Sequence, residues 1–216
     1  MLVKDCMTTN PITVRPESDP LAALALLKCG KFRRLPVVDA LGRPVGVITR
    51  ADLELFLSKA GSPGIVKRQH RVDQVMKQRV VTVSPECPLE EAAELMIKNK
   101  VGSLLVVEGE RLAGIITETD IFRQFAAVLG GSTASLRITV QVFNVPGQLA
   151  ELAGRIASVG GNITSVVAYS SSTPGRTNIT LRVEGSDRET LLQAISGQSG
   201  LEIRHVWDGS ASAAGS

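Results

Sequence analysis

Gly46-Val-Ile-Thr-Arg-Ala-Asp52 returns further along the chain as Gly114-Ile-Ile-Thr-Glu-Thr-Asp120. Sliding the sequence by 69 places, without gaps, lays Met7 on Met76, Thr13 on Thr82, Pro16 on Pro85, Lys31 on Lys100 and Val37-Val38 on Val106-Val107. One residue fewer in the next turn makes the offset 68, which lays Thr49 on Thr117 and Asp52 on Asp120. The copies also open alike, as Val3-Lys-Asp-Cys-Met7 and Val72-Asp-Gln-Val-Met76. A repeat of this period is a unit that completes its core by packing on its twin. Beyond apolar positions, both copies keep a Thr followed three residues later by an Asp.

Each copy reads β-α-β-β-α. A short strand, Ile12–Val14 or Val81–Val83, precedes Pro16 or Pro85. In the first copy Asp19 is placed to cap a helix with Pro20 at its first position. In the second copy Pro88 takes the place of Pro20, and Glu90 and Glu91 sit in the first turn, where the helix dipole favours them. Strands follow at Leu35–Val38 and Val45–Ile48, or at Leu104–Val107 and Leu112–Ile116. The last helix starts near Thr49 or Thr117. These readings put the first repeat at 1–60, a Gly/Pro/charge-rich connection at 61–71, the second repeat at 72–129 and a Gly/Ser linker at 130–135.

Residues 136–208 form a different unit. Leu136, Ile138, Val140 and Val142 alternate as in a half-buried strand. Helical spacing runs through Leu149, Leu152, Ile156 and Val159, and Gly160-Gly161 stops it. Strands at Asn162–Tyr169 and Thr177–Val183 flank a Ser/Pro/Gly hairpin loop. Ser186-Asp-Arg-Glu189 reads as a capping box for a helix to Ile195, and Leu201–Trp207 is a last strand. The order β-α-β-β-α-β is ferredoxin-like. The whole chain is thus of the mixed α/β (α+β) class, with 209–216 a disordered small-residue tail.

Composition bounds the function. The chain has 216 residues, 44% of them hydrophobic and only 3% aromatic, so its cores are aliphatic. No apolar run approaches the roughly 18 residues of a membrane span, and the start carries no signal-peptide pattern. Three scattered cysteines suit a reducing cytoplasm better than a disulfide framework or a zinc site. The net charge of +3 is too small to imply nucleic-acid binding, and scarce aromatics argue against base stacking. The basic excess lies within the first 130 residues. Its clusters, Lys28/Lys31/Arg33/Arg34 and Lys67/Arg68/His70/Arg71, read either as solvated faces or as attractors of phosphate. No nucleophile elbow, P-loop, Cys-x-x-Cys or metal spacing occurs. His70 and His205 stand alone, and Cys29 reads as a small core residue. No catalytic or metal-ligating residue is assigned.

Thr49/Asp52 and Thr117/Asp120 each follow a strand and open a helix. Free N–H groups and the dipole at such a place favour an anion such as phosphate. The Thr hydroxyl adds a hydrogen bond, and a carboxylate one turn on can accept from both hydroxyls of a sugar diol. The same pair equally makes a plain helix cap with a first-turn acid, worth about 1 kcal/mol each.

At these residues the repeat resembles the CBS domain, and two in tandem resemble a Bateman module. The resemblance rests on Met7 and Met76, Thr13-Val14 and Thr82-Val83, Leu35-Pro-Val-Val-Asp39 and both Gly-x-Ile-Thr-x-x-Asp phrases, and covers residues 1–129. It implies two clefts about a pseudo-twofold axis that take adenine nucleotides (AMP, ADP, ATP) or related adenosyl ligands. Asp52 and Asp120 would meet ribose and Thr49 and Thr117 the phosphates. Thr13 and Thr82 would lie near base or sugar. Arg34, in the place that Ser103 holds in the second copy, would reach phosphate.

Asn144-Val145-Pro146-Gly147-Gln148-Leu149, with Asn162 and Ile163 after Gly160-Gly161, is the second constellation. A Pro-Gly turn leaves helix N–H groups free, where the carboxylate of a small zwitterion would dock; simple turn chemistry explains the same residues. Residues 136–208 resemble an ACT domain, which implies dimerisation and amino-acid binding. That family often has Asp where this chain has Asn144, which removes a partner for an amino group. The combined architecture resembles the acetoin-utilisation (AcuB-type) group of bacterial regulatory proteins. The expectation is a non-catalytic cytoplasmic sensor of small-molecule effectors, a homodimer or dimer of dimers, acting on an unidentified protein. A structural adaptor with vestigial clefts and a nucleic-acid-binding module are the alternatives.

Overall fold

The computed structural model describes residues 1–59, 70–130 and 135–208. The chain divides into two compact units, Met1–Phe122 and Arg123–Ser216. The expected connections at 61–71 and 130–135 fall largely, and the tail at 209–216 entirely, outside the described residues.

In the first unit the strands are β1 (Thr8–Thr9), β2 (Arg34–Val38), β3 (Pro44–Thr49), β4 (Thr82–Val83), β5 (Ser103–Glu108) and β6 (Arg111–Thr117). The helices are α1 (Pro20–Cys29), α2 (Arg50–Lys59), α3 (Leu89–Asn99) and the first part of α4 (Glu118–Val128), whose residues from Arg123 onward belong to the second unit. Asp19 caps α1 by accepting from the Leu21 N–H at 2.9 Å, and Pro20 is the first helical residue. The second copy differs from the reading above. Pro88 is itself the residue before the helix, without a side-chain cap, and Leu89 begins α3. The strand expected at Ile12–Val14 reduces to one parallel bridge, Val14 to Val37, while its counterpart keeps only Thr82–Val83. Val3–Asp5 is a 3₁₀ turn matched by another at Val72–Gln74. Cys29 is exposed, because it sits on the outer face of the last turn of α1.

The packing exchanges the opening segments between the two copies. Val3, fully buried, belongs to the core of the second copy with Val83, Leu89, Ala92, Met96, Leu104, Val106, Ile116 and Ile121. Val72, also fully buried, belongs to the core of the first copy with Val14, Ala23, Leu27, Leu35, Val37, Ile48 and Leu53. Burying such a valine contributes roughly 1.5–3 kcal/mol, so each copy stabilises its twin. The backbone bonds repeat the exchange. The Val3 and Lys4 N–H groups donate to Cys87 and Pro85 carbonyls, each at 2.9 Å. The Val72 and Asp73 N–H groups donate to Ser18 and Pro16 carbonyls at 3.0 and 2.9 Å.

The sheets close in the same manner. The order β1-β6-β5-β4 is antiparallel except for the parallel pair β4-β5. In the other copy the β2-β3 hairpin is flanked by Val14 on one side and by Lys77 on the other. Met7 therefore crosses Gly114, and Met76 crosses Gly46. A Cβ added at Gly114 would lie 2.7 Å from the Met7 sulfur, and one at Gly46 would lie 2.5 Å from the Met76 sulfur. The glycine that opens each Gly-x-Ile-Thr-x-x-Asp phrase, in mid-strand, leaves room for the methionine near the start of the other copy.

The second unit contains β7 (Leu136–Phe143), α5 (Gln148–Ser158), β8 (Asn162–Ser170), β9 (Arg176–Glu184), α6 (Arg188–Ser196) and β10 (Glu202–Asp208). Its strand order, β10-β7-β9-β8, is antiparallel throughout and ferredoxin-like. Leu152 and Ile156 of α5 and Leu191 and Ile195 of α6 close one sheet face over Ile138, Val140, Val142, Ile179 and Leu181. The opposite face is polar: Thr139 and Thr180 share a 2.9 Å hydrogen bond, and Arg182 donates to the carbonyl of Leu129 at 2.6 Å. The expected capping box at Ser186–Glu189 does not form. Asp187 caps α6 by accepting from the Thr190 N–H at 2.9 Å, one residue later than expected.

Candidate functional site

The two Thr–Asp pairs are built alike. In the first, Thr49 Oγ1 donates to Asp52 Oδ2 at 2.5 Å and accepts from the Asp52 N–H at 3.2 Å. In the second, Thr117 Oγ1 donates to Asp120 Oδ2 at 2.7 Å and accepts from the Asp120 N–H at 3.4 Å. The Thr117 N–H also donates to Asp120 Oδ2 at 2.9 Å. In the second pair this is the reciprocal geometry of a capping box, and in the first the threonine hydroxyl alone accepts from the helix N–H, so both pairs serve their helices. The Asp52 carboxylate has a further neighbour that the sequence reading missed: Lys77 Nζ lies 3.6 Å away, carried there by the exchanged segment.

Arg34 and Ser103 meet between the copies. Arg34 Nη1 donates to Ser103 Oγ at 2.8 Å. In the ladders Arg34 stands opposite Thr49 and Ser103 opposite Thr117, which brings four of the eight expected residues to corresponding strand ends. Burial holds the Arg34 guanidinium below its ordinary pKa, Glu118 opposes that effect, and Arg33 adds to it. Arg34 Nε is buried without a partner. Thr13 and Thr82 lie on the neighbouring parallel segments: Thr82 pairs with Leu105 and is exposed, and Thr13 precedes the Val14 bridge to Val37.

A cleft of about 500 Å³ adjoins the first pair, lined by Lys28, Lys31, Phe32, Arg33, Arg34, Thr49, Arg50, Ala51 and Glu54. Three members of the Lys28–Arg34 cluster are exposed and Arg34 is half-buried. Of the other basic cluster, Lys67 and Arg68 lie outside the described residues. Arg50 was not singled out in the sequence, although its place beside Thr49 is the available signal.

The constellation of the second unit separates. Asn144 lies at the hairpin end of the sheet, with its N–H on the Gly175 carbonyl at 2.9 Å. Asn162 pairs with Glu184 at the opposite end of β9, some 26 Å away at about 3.3 Å per residue. Asn144–Leu149 and Asn162/Ile163 therefore do not form one site within a chain, because α5 runs the length of the sheet between them. Gly147, at φ +92°, precedes α5 with no side-chain cap, so the helix N–H groups there are unsatisfied by side chains. Val145 and Leu149 are exposed, and Ile163 packs on the core. Gln198, which the sequence reading missed, is buried against this turn. Its Nε2 donates to the Gln148 carbonyl at 3.1 Å, and its Oε1 is buried without a partner. Asn144 also lines a polar cleft of about 460 Å³ with Tyr169, Ser171, Thr173 and Arg176. Among the described residues, no helix is long and apolar enough to cross a membrane.

Comparison with known proteins agrees with this architecture. The CBS-domain family model matches residues 3–59 and 72–127, and the TTHA0829-like ACT domain model matches residues 134–205. A CBS domain-containing protein of Dictyostelium discoideum is 36% identical over 136 residues, 60% of this chain and 94% of that protein. Other curated relatives are longer: the chain spans 48% of an uncharacterised protein of Methanocaldococcus jannaschii and 23% of that organism's L-aspartate semialdehyde sulfurtransferase. Among solved structures, a putative acetoin utilization protein (AcuB) from Vibrio cholerae is similar at TM-score 0.54 and 29% identity, over 60% of this chain and 93% of that one. The CBS domain pair of protein MJ0100, in complex with 5-methylthioadenosine and S-adenosyl-L-methionine, is similar at TM-score 0.52 and 29% identity, over 62% and 98%. CBSX2 from Arabidopsis thaliana, in complex with AMP, is similar at TM-score 0.51 and 28% identity, over 59% and 97%.

Proposed function

The chain belongs to the CBS-domain family, as a tandem CBS pair followed by an ACT-like domain, and we propose that it is a non-catalytic regulatory protein whose CBS pair binds adenine nucleotides or a related adenosyl ligand. The observation that carries this reading is the duplication of one polar device. Thr49/Asp52 and Thr117/Asp120 stand at equivalent helix starts, with Arg34 and Ser103 opposite the two threonines. Similar CBS pairs were crystallised with AMP and with adenosyl sulfur compounds, which supports the ligand class. Asp52 and Asp120 are assigned to the ribose, Thr49, Thr117 and Arg34 to phosphate, and Thr13 and Thr82 to the base or sugar. Because the opening segments are exchanged, a ligand that spreads or closes the two copies would be felt by both cores. Such a ligand shifts the packing only by its differential affinity for the two arrangements.

The ACT-like domain is assigned to homodimer assembly, where pairing would cover the exposed edge strand β8. Binding of an amino acid at Asn144–Leu149 is the lesser part of the proposal, since Asn162 and Ile163 lie elsewhere in the same chain. On this reading the protein acts on a separate partner protein in the cytoplasm.

Calorimetric titration with ATP, AMP and 5-methylthioadenosine tests the reading. Micromolar binding of one or two ligands per chain, lost in the Asp52→Ala/Asp120→Ala double variant, is expected. Unchanged affinity in that variant would sink the site assignment. A second reading, an adaptor with vestigial clefts, draws on one observation: both carboxylates are already engaged by their own threonines. It predicts no heat with any adenosyl compound.

A further inference from the structure

The two copies are alike in fold and unlike in charge. The cleft beside Thr49 is lined by five cationic side chains, Lys28, Lys31, Arg33, Arg34 and Arg50, with one carboxylate, Glu54. The repeat offset gives their counterparts as Ile97, Lys100, Gly102, Ser103 and Glu118, with Phe122 in place of Glu54. The backbone confirms the correspondence: Lys31 and Lys100 both hold a left-handed conformation, at φ +53° and +54°. The Arg50 N–H donates to the Arg33 carbonyl as the Glu118 N–H does to that of Gly102. The first copy thus gathers four more positive than negative side chains where the second has one of each.

The cations are only partly neutralised within the protein. Glu54 meets Arg50 at 2.8 Å and Lys28 only at 4.0 Å. Lys31 and Arg33 have no ion pair among the described residues. Arg34, half-buried, donates to the uncharged Ser103, lies near the Glu118 carboxylate of the second copy at Gly102, and keeps Nε buried without a partner. Phe32, 41% exposed, adds an apolar wall where the second copy has Val101. An excess of cations around a cleft of this size, at a helix start, recognises several linked phosphate groups better than one.

We infer that the two copies discriminate by phosphate number: the first-copy cleft takes the polyphosphate chain of a nucleoside di- or triphosphate, and its second-copy counterpart takes a ligand of low negative charge. This rests on the adenosyl-binding reading above for the nucleoside, but the polyphosphate contact is separable from it.

The test is titration of the full chain with ATP, AMP, 5-methylthioadenosine and inorganic tripolyphosphate at two salt concentrations. It compares the wild type with Arg33→Gly/Arg50→Glu, which installs the second copy's residues at two exposed positions. In the wild type one site is expected to prefer ATP to AMP by about tenfold or more, with affinity falling steeply as salt rises. The variant is expected to lose that preference and tripolyphosphate binding, while 5-methylthioadenosine affinity stays within about twofold. Tripolyphosphate binding lost in the variant, with no binding of any adenosine compound, would sink the nucleoside reading and uphold the polyphosphate cleft. Equal affinity for ATP and AMP in the wild type, an unchanged preference in the variant, or binding of neither ATP nor tripolyphosphate would overturn the inference.

Discussion

Arg34 and Ser103 hold the same place in the two copies of the repeat, and they touch: Arg34 Nη1 donates to Ser103 Oγ at 2.8 Å. Equivalent positions of two copies meet only where a twofold relation brings each face against its own image. The pair therefore marks the pseudo-axis of the CBS module. It also places the chain's main asymmetry there, a cation against a hydroxyl.

The first prediction concerns that contact. Arg34→Ala and Ser103→Ala should each destabilise the protein by about 1.5 kcal/mol, the lower end for a hydrogen bond to a charged group. The double variant should cost clearly less than the two together, since both remove one bond. Urea denaturation of the four proteins measures the coupling. Additive losses would show that the bond contributes nothing across the axis.

The second prediction follows from the exchanged opening segments. A Cβ at Gly114 would lie 2.9 Å from the Thr8 carbonyl oxygen as well as against Met7, so backbone must move. At Gly46 the close atom is the flexible Met76 sulfur, and the Lys77 carbonyl is 3.3 Å away. Gly114→Ala should therefore cost about 1–3 kcal/mol, as overpacking does, and Gly46→Ala less. Hydrogen exchange of Gly114→Ala should show the loss first at β1 and β6. Equal costs at the two glycines would count against this geometry.

That exchange explains what the sequence did and did not reveal. The repeat, the paired Thr and Asp, and the order of elements were legible because periodicity and caps are local. Whether Val3 packs on its own copy or on the twin was not legible. A fixed offset leaves the same signature in both cases, since Val3 and Val72 swap partners together. The cap of the last helix was misplaced by one residue because Ser186 and Asp187 are both good capping residues, and only the backbone decides which one is extended. Asn144 and Asn162 both flank one helix, but at its two ends: Asn144 lies in the turn before it and Asn162 opens the strand after it.

Asp187 gives a pH prediction. Its carboxyl is held below the ordinary value of 3.8, first by its side-chain hydrogen bond with Thr190 and then by the Thr190 backbone N–H. A depressed carboxylate contributes stability that is present above the unfolded value and is lost as pH falls through the folded one. The start of α6 should therefore loosen only in acid, below about pH 4, visible as loss of protection at the Thr190 amide. Asp187→Asn keeps an acceptor without a titrating proton, and should remove this step. An Asn variant with the same acid transition would place its origin elsewhere.

The threonine caps give the last prediction, because each threonine has both a helix to hold and a proposed ligand to meet. Thr117→Val removes a hydroxyl that donates to Asp120 and accepts from its N–H, and should cost about 1 kcal/mol as a lost cap. Thr117→Ser retains the hydroxyl and should restore stability. If the hydroxyl also serves a phosphate, AMP affinity should fall several-fold in the valine variant and recover in the serine variant. The same pair of substitutions at Thr49 should act on ATP affinity at the basic cleft. A valine variant that loses stability but binds as the wild type does would confine the threonine to its cap, and leave Asp120 or Asp52 to hold the ligand alone.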